Sequence, residues 1–208
     1  MSASHGVVPD RAARAARDGL APIAQRLHSL GVSANTVTVL GVLLTVAGSA
    51  LVAAQRPAEG LGLLILGSVA DMLDGAIARA SGGGSRMGAF LDSTVDRLAD
   101  GAFFAAAAWV GSVRGEALLF WAAITAMTAS FLVSYVRAKA ESVGIAATVG
   151  PAPREARLVL LLLGLAAWAF AGSLPIFVTA VTAVAVLATI TFLQRVTVVA
   201  RTLGSASR

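Results

Sequence analysis

Four aspartates stand close together in this 208-residue chain: Asp71, Asp74, Asp92 and Asp96, within the run DMLDGAIARASGGGSRMGAFLDSTVD. The first pair is spaced i, i+3 and the second i, i+4, so on helices each pair shares one face. Between the pairs lies SGGGSRMG, a tight turn by composition. Two helices joined by such a turn run antiparallel, and their adjoining ends bring four carboxylates to one depth. Four like charges within a few ångströms do not stay ionised unless cations neutralise them. The chain has no cysteine and no histidine nearby, so the donors are all oxygen. That set fits Mg²⁺, Mn²⁺ or Ca²⁺ rather than zinc or copper. The competing reading pairs the carboxylates with Arg79, Arg86 and Arg97 in a protein interior. It suits one Asp–Arg pair better than four acids at matched helical spacing.

The residues around the aspartates are small. Gly75 follows Asp74, Ala78 precedes Arg79, and Gly82, Gly83, Gly84 and Gly88 open the turn. Residues without bulk let a ligand approach the backbone. Backbone N–H groups at a helix start favour an anion, and Arg79 is a fixed positive charge suited to phosphate. Cations, an arginine and small residues together point to a diphosphate.

The elements that must hold this constellation are apolar. Hydrophobic residues make up 57% of the chain and charged residues 13%; mean hydropathy is +0.83. A soluble domain is about one quarter charged, so a soluble globular protein, a disordered chain and a disulfide-stapled domain are excluded. The apolar runs are long rather than alternating, which argues against a transmembrane barrel. The expected fold is all-α: a polytopic membrane protein with six spans near 35–54, 60–80, 88–111, 116–140, 156–172 and 175–198. Residues 1–208 read as one domain without internal repeats.

Residues 9–30 precede the spans. Ala16, Leu20, Ile23, Leu27 and Leu30 recur at steps of four and three, with Arg11, Arg14, Arg17 and Arg26 mostly off that line. This pattern predicts an amphipathic helix lying in the headgroup plane, bent or restarted at Pro22. No secretory signal and no lipidation site are legible, residue 2 being Ser2. His5 and His28 read as surface residues.

Net charge is +5 and the pI is about 11.2. With six spans, fourteen of the sixteen basic residues fall on the side of the N-terminus, and only Arg56 and Arg114 on the other. This asymmetry predicts cytoplasmic termini and a cytoplasmic carboxylate site. The basic excess is therefore topology facing anionic lipid, not a nucleic-acid surface.

The pattern D-x2-D-G-x2-A-R-x8-G-x3-D-x3-D is met by Asp71, Asp74, Gly75, Ala78, Arg79, Gly88, Asp92 and Asp96. It resembles the signature of the CDP-alcohol phosphotransferases. The resemblance implies transfer of a phosphatidyl or similar group from a CDP-linked donor to an alcohol, with release of CMP. It implies that Asp71, Asp74, Asp92 and Asp96 hold a pair of divalent ions, Mg²⁺ or Mn²⁺, and that Asp96 is the general base. Gly75, Ala78, Arg79 and Gly88 would line the nucleotide site, with Ser85 in the turn. Ser33-Ala34-Asn35-Thr36-Val37-Thr38 is similar to the family's P-N-x-x-T stretch, with Ala34 in place of proline. Asn35 and Thr38 are then candidate nucleotide contacts, and the plainer alternative has Ser33 or Asn35 capping the first span.

The motif does not fix the acceptor. Arg137, Lys139, Arg154, Arg157 and Arg195 come from three helix ends on the carboxylate side, more cations than a neutral alcohol needs. The stretches SYVRAKAESVG and PREARL also resemble the actinobacterial phosphatidylinositol phosphate synthase branch. That likeness implies CDP-diacylglycerol and inositol phosphate as substrates, Arg137, Arg154 and Arg195 on the acceptor phosphate, and a homodimer. Lys139 and Arg157 stay open on helical phase, and Asp100, Ser134 and Tyr135 are further candidates to face the site. Two alternatives remain at this stage: the same chemistry with an acceptor such as glycerol 3-phosphate, and an ion carrier built on intramembrane carboxylates. Carriers show paired broken spans in two related halves, which this chain lacks.

Overall fold

The computed structural model describes residues 10–151 and 153–206, with side chains described from Gly19 to Ser205. The side chains of Arg11, Arg14, Ala16 and Arg17, and the residues Ser2, His5 and Arg208, lie outside that part. The described elements are seven helices, with no strand among the described residues: α1 (Asp10–Ser29), α2 (Ala34–Ala53), α3 (Pro57–Ala80), α4 (Arg86–Arg114), α5 (Ala117–Ser142), α6 (Arg154–Ala171) and α7 (Leu174–Ala206). Each falls on one of the expected segments.

Local sequence explains the ends. Ser33 caps α2, its Oγ accepting from the Thr36 N–H at 3.1 Å. Pro57 opens α3, where a missing N–H costs nothing. Ser85 caps α4 by accepting from the Gly88 N–H at 2.9 Å. At the end of α3 the Gly83 N–H donates to the Ala78 carbonyl and the Gly82 N–H to Arg79. This Schellman closure needs a left-handed residue, supplied by Gly82 at φ +92°. The closure delivers the chain directly into the turn before α4.

Four helices are long and apolar enough to cross a membrane: α2, α3, α5 and α7. The other two expected spans fall on α4 and α6, which carry more charge. α4 carries Asp92, Asp96, Arg97 and Asp100 in its first half, and α6 opens on Arg154, Glu155 and Arg157. These charges set the two helices apart from the other four. Large apolar side chains on several helices, Leu43, Leu66, Trp121 and Phe170 among them, face outward. Such surfaces suit lipid rather than water, and the chain is a membrane protein.

The described residues form two compact units, with the boundary inside α4 between Ala106 and Ala107. In the N-terminal unit α2 packs antiparallel on α3, and α1 packs on α3. α1 runs unbroken through Pro22, so no restart occurs there. Its contact with α3 is made chiefly through a residue off the expected lipid-facing stripe. Ala24 is fully buried with Val37, Ala76 and Ile77, and Leu27 packs against them, while Ile23 and Leu30 stay exposed. The small Ala24 permits a close approach that the bulk of Ile23 would prevent. In the C-terminal unit α7 packs on α5 and α6 around Leu119, Leu165, Phe177, Val181 and Val184. Trp168 stacks on Phe177 at 5.6 Å, and the Arg114 guanidinium lies 5.7 Å from the Trp168 ring.

Candidate active site

The end of α3, the turn after it, and the starts of α2 and α4 enclose a cleft of about 510 Å³ within the N-terminal unit. Asp71, Asp74 and Asp92 line it, and one oxygen from each lies within 4.8 Å of the others. Asp74 is buried, Asp71 half-buried and Asp92 exposed, so the group grades from the helix interface to the open cleft. A single ion with oxygen ligands at about 2.0–2.6 Å fits three oxygens at such spacing. The donor set, all carboxylate, fits a hard divalent cation.

Asp96 is not in this group of three. It lies one turn beyond Asp92 on α4, 3.9 Å from Arg97 Nη1. The Arg97 guanidinium itself donates to the Ser93 carbonyl. Asp100 follows one further turn along, half-buried.

The small residues do what their size allows. Gly75, Ala78 and Gly88 all line the cleft. A Cβ at Gly88 would stand 3.2 Å from Ser85 Oγ and 3.4 Å from Asn35 Oδ1. The bare Cα thus keeps a polar corner of Asn35 and Ser85 open at the start of α4. Arg79 does not line the cleft; its guanidinium folds back along α3, 3.4 Å from where a Gly75 Cβ would be. Thr38 is buried and its Oγ1 lies 2.5 Å from Asp74 Oδ2. Ser33, Ala34, Ser81 and Ala89 also line the cleft and were not singled out as contacts from the sequence. Ala89 had a legible signal, since residues 85, 89 and 92 follow helical spacing on α4.

The candidate acceptor residues belong to the C-terminal unit. Arg195 donates from Nε to the Val149 carbonyl and from Nη1 to the Val133 carbonyl, both at 3.0 Å. Arg137 and Arg157 lie close enough to repel its charge, and Glu141 close enough to attract it. Arg137 is exposed and paired with Glu141 at 2.9 Å. Arg157, left open from the sequence, is buried and donates to Ser130 Oγ at 2.7 Å. Arg154 is the first residue of α6 and half-buried; Lys139 and Tyr135 are exposed, and Ser134 is half-buried.

Fold and cleft together define an integral membrane protein of long apolar helices carrying an acidic, metal-competent cleft. The chain belongs to the CDP-alcohol phosphatidyltransferase family, whose model matches residues 31–193. It is therefore an enzyme, and the ion-carrier alternative falls. Phosphatidylinositol phosphate synthases are among its similar proteins. That of Mycobacteroides abscessus is 40% identical over 151 residues, covering 69% of this chain and 66% of the relative. That of Mycolicibacterium smegmatis is 36% identical over 183 residues, covering 84% and 81%. The crystal structure of the Mycobacterium tuberculosis phosphatidylinositol phosphate synthase with CDP-DAG bound matches with a TM-score of 0.80 and 34% identity, over 86% of this chain and 92% of that one. The same enzyme in complex with manganese and citrate matches equally, over 86% and 88%.

Proposed function

We propose that this enzyme transfers the phosphatidyl group of CDP-diacylglycerol to inositol phosphate, giving phosphatidylinositol phosphate and CMP. The observation that carries the reading is the convergence of Asp71, Asp74 and Asp92 on a cleft otherwise walled by small residues. That cleft accepts a diphosphate and the cations that accompany it. The relatives' names and the CDP-DAG complex support the donor and the acceptor.

Asp71, Asp74, Asp92 and Asp96 hold the divalent ions, Mg²⁺ or Mn²⁺. When bound, these ions neutralise the diphosphate and stabilise charge on departing CMP. Asn35, Ser85, Gly75, Ala78 and Gly88 receive the nucleotide, the glycines by letting it approach the backbone, and Arg79 reaches it from beside Gly75. Asp96 takes the proton of the acceptor hydroxyl as that oxygen attacks the phosphatidyl phosphorus. One P–O bond forms to the acceptor, the P–O bond to CMP breaks, and CMP leaves with the electron pair. Arg137, Arg154 and Arg195 bind the acceptor phosphate.

The setting is the cell membrane, crossed six times, with both termini and the site on the cytoplasmic side. α4 and α6 cross as well, their charged N-terminal parts standing toward the cytoplasmic side. α1 lies along that interface, where its exposed Ile23 and the exposed Leu30 just past its end meet lipid. Residues 1–208 act as one catalytic domain, which the family match across the whole of 31–193 supports. The active form is a homodimer.

Purified protein with CDP-diacylglycerol and Mg²⁺ is to be offered inositol phosphate, glycerol 3-phosphate and free inositol in turn. CMP is expected with inositol phosphate alone. Release with glycerol 3-phosphate instead reassigns the acceptor, and release with none removes the transferase reading.

A further inference from the structure

We propose that Thr38, which borders the cleft, is a positioning residue of the metal site: its hydroxyl fixes the orientation of Asp74. Thr38 Oγ1 lies 2.5 Å from Asp74 Oδ2 and 3.0 Å from the Ala34 carbonyl. A hydroxyl has one proton to give. The nearer acceptor is a carboxylate, and a bond to an ionised acceptor is the shorter and stronger kind. That proton is therefore committed to Asp74 and is not available to a base or a phosphate. Both side chains are buried, at 7% and 6% exposure, at the inner wall of the cleft.

The helix pair makes the bond geometrically obligatory. Thr38, Gly41, Thr45 and Gly48 form a seam on α2 that meets Gly60, Leu64, Gly67, Asp71 and Asp74 on α3. A Cβ at Gly48 would stand 2.9 Å from the Gly60 carbonyl oxygen, and one at Gly41 would stand 3.1 Å from Ala70 Cβ. A Cβ at Gly67 would strike Thr45 Oγ1. Backbones this close cannot slide or rotate without collision. Thr38 and Asp74 are the last rung of that seam, at the cleft end. The rung points Asp74 toward Asp71 and Asp92, the geometry in which their oxygens lie within 4.8 Å of one another. Partners behind a metal ligand orient it, and their loss typically costs about 10–100-fold in metal affinity.

The inference rests on the reading of Asp71, Asp74 and Asp92 as ligands, and the test separates the two. Mn²⁺ binding to the purified full-length chain, without CDP-diacylglycerol, is measured by electron paramagnetic resonance for the wild type, Thr38→Val and Thr38→Ser. Turnover then gives the KM for CDP-diacylglycerol at saturating Mn²⁺. Thr38→Val is expected to bind Mn²⁺ about 10–100-fold more weakly, Thr38→Ser to remain near the wild type, and the KM at saturating metal to be unchanged. Thr38→Ala replaces Thr38→Val if the latter is not monodisperse. Equal Mn²⁺ binding in wild type and Thr38→Val overturns the inference and leaves the ligand reading standing. A KM raised in Thr38→Val at every metal concentration, with Mn²⁺ binding intact, overturns it in favour of a nucleotide contact. A wild type that binds no Mn²⁺ overturns the ligand reading and this inference with it.

Discussion

The two units each gather like charges, and they hold them differently. In the N-terminal unit three carboxylates project from two helix bodies, with Asp74 bonded to the neutral hydroxyl of Thr38. In the C-terminal unit Arg195 stands in the field of Arg137 and Arg157 and is bonded to two backbone carbonyls, while Arg157 is bonded to the neutral Ser130. Neutral dipoles orient a charge without cancelling it. The acidic group is thereby left able to take a cation, whereas among the basic residues Arg137 is already paired with Glu141; the proposed acceptor site rests on the others. The difference lies in the arms. Aspartates are short, so their oxygens stay where the α3 and α4 backbones put them. Arginines are long, and their position depends on what their guanidinium groups find to bond.

The sharpest way to break this comparison is to remove the cation. Chelation with EDTA is expected to abolish CMP release and to leave the protein folded, with Mg²⁺ or Mn²⁺ restoring turnover. Undiminished turnover in EDTA would show the carboxylates to be a structural cluster. Next in size is Asp96→Asn, which keeps the side-chain shape and removes the base. General-base catalysis contributes roughly 10²–10⁴-fold, so turnover should fall by about that factor while CDP-diacylglycerol still binds. Because Asp96 stands outside the group of three, Mn²⁺ affinity in this variant is expected to fall less than in Asp74→Asn. The reverse order would make Asp96 the principal ligand.

On the basic side the largest expected effect is smaller. Arg195→Gln should raise the KM for inositol phosphate roughly 10–100-fold, the scale of one charge-assisted hydrogen bond. The KM for CDP-diacylglycerol should stay near its wild-type value. Arg195 also ties α7 to the Val149 and Val133 carbonyls. A fall in thermal midpoint with no change in either KM would assign the residue to structure alone.

The same contrast explains what was legible in the sequence. The helices follow from apolar runs broken at residues such as Pro57, Gly82 and Pro153, and the expected 35–54 became Ala34–Ala53. Asp71, Asp74 and Asp92 were legible because helical spacing fixes short side chains. Thr38 was placed in the site, but its bond to Asp74 was hidden, since the α2–α3 seam is a property of two segments taken together. Arg157 was set apart by helical phase, but its bond to Ser130 was hidden, because burial of a long side chain is decided by the space around its tip. In α1 the sequence placed the apolar stripe toward the headgroup plane and did not show which residues meet α3. The structure uses Ala24 for that contact, because closeness to α3 rewards small size over apolar bulk.

The smallest predicted effects test whether the α2–α3 seam is what makes the acidic unit the more rigidly specified of the two. Gly67 and Gly62 both lie in α3, five residues apart, and a methyl group separates their fates. At Gly67 a Cβ would strike Thr45 Oγ1 and stand 3.0 Å from the Gly41 carbonyl oxygen. Overpacking of this kind costs about 1–3 kcal/mol, so Gly67→Ala should lower the thermal midpoint. It should also weaken Mn²⁺ binding, because the push on α2 reaches Thr38 two turns along. At Gly62 a Cβ meets nothing within 4 Å. There alanine relieves the entropic penalty of a helical glycine, about 0.5–1 kcal/mol, and Gly62→Ala should raise the midpoint and leave Mn²⁺ binding unchanged. Equal midpoints in the two variants would mean that α2 and α3 separate at no cost. The position of Asp74 would then have to be explained by the cleft alone.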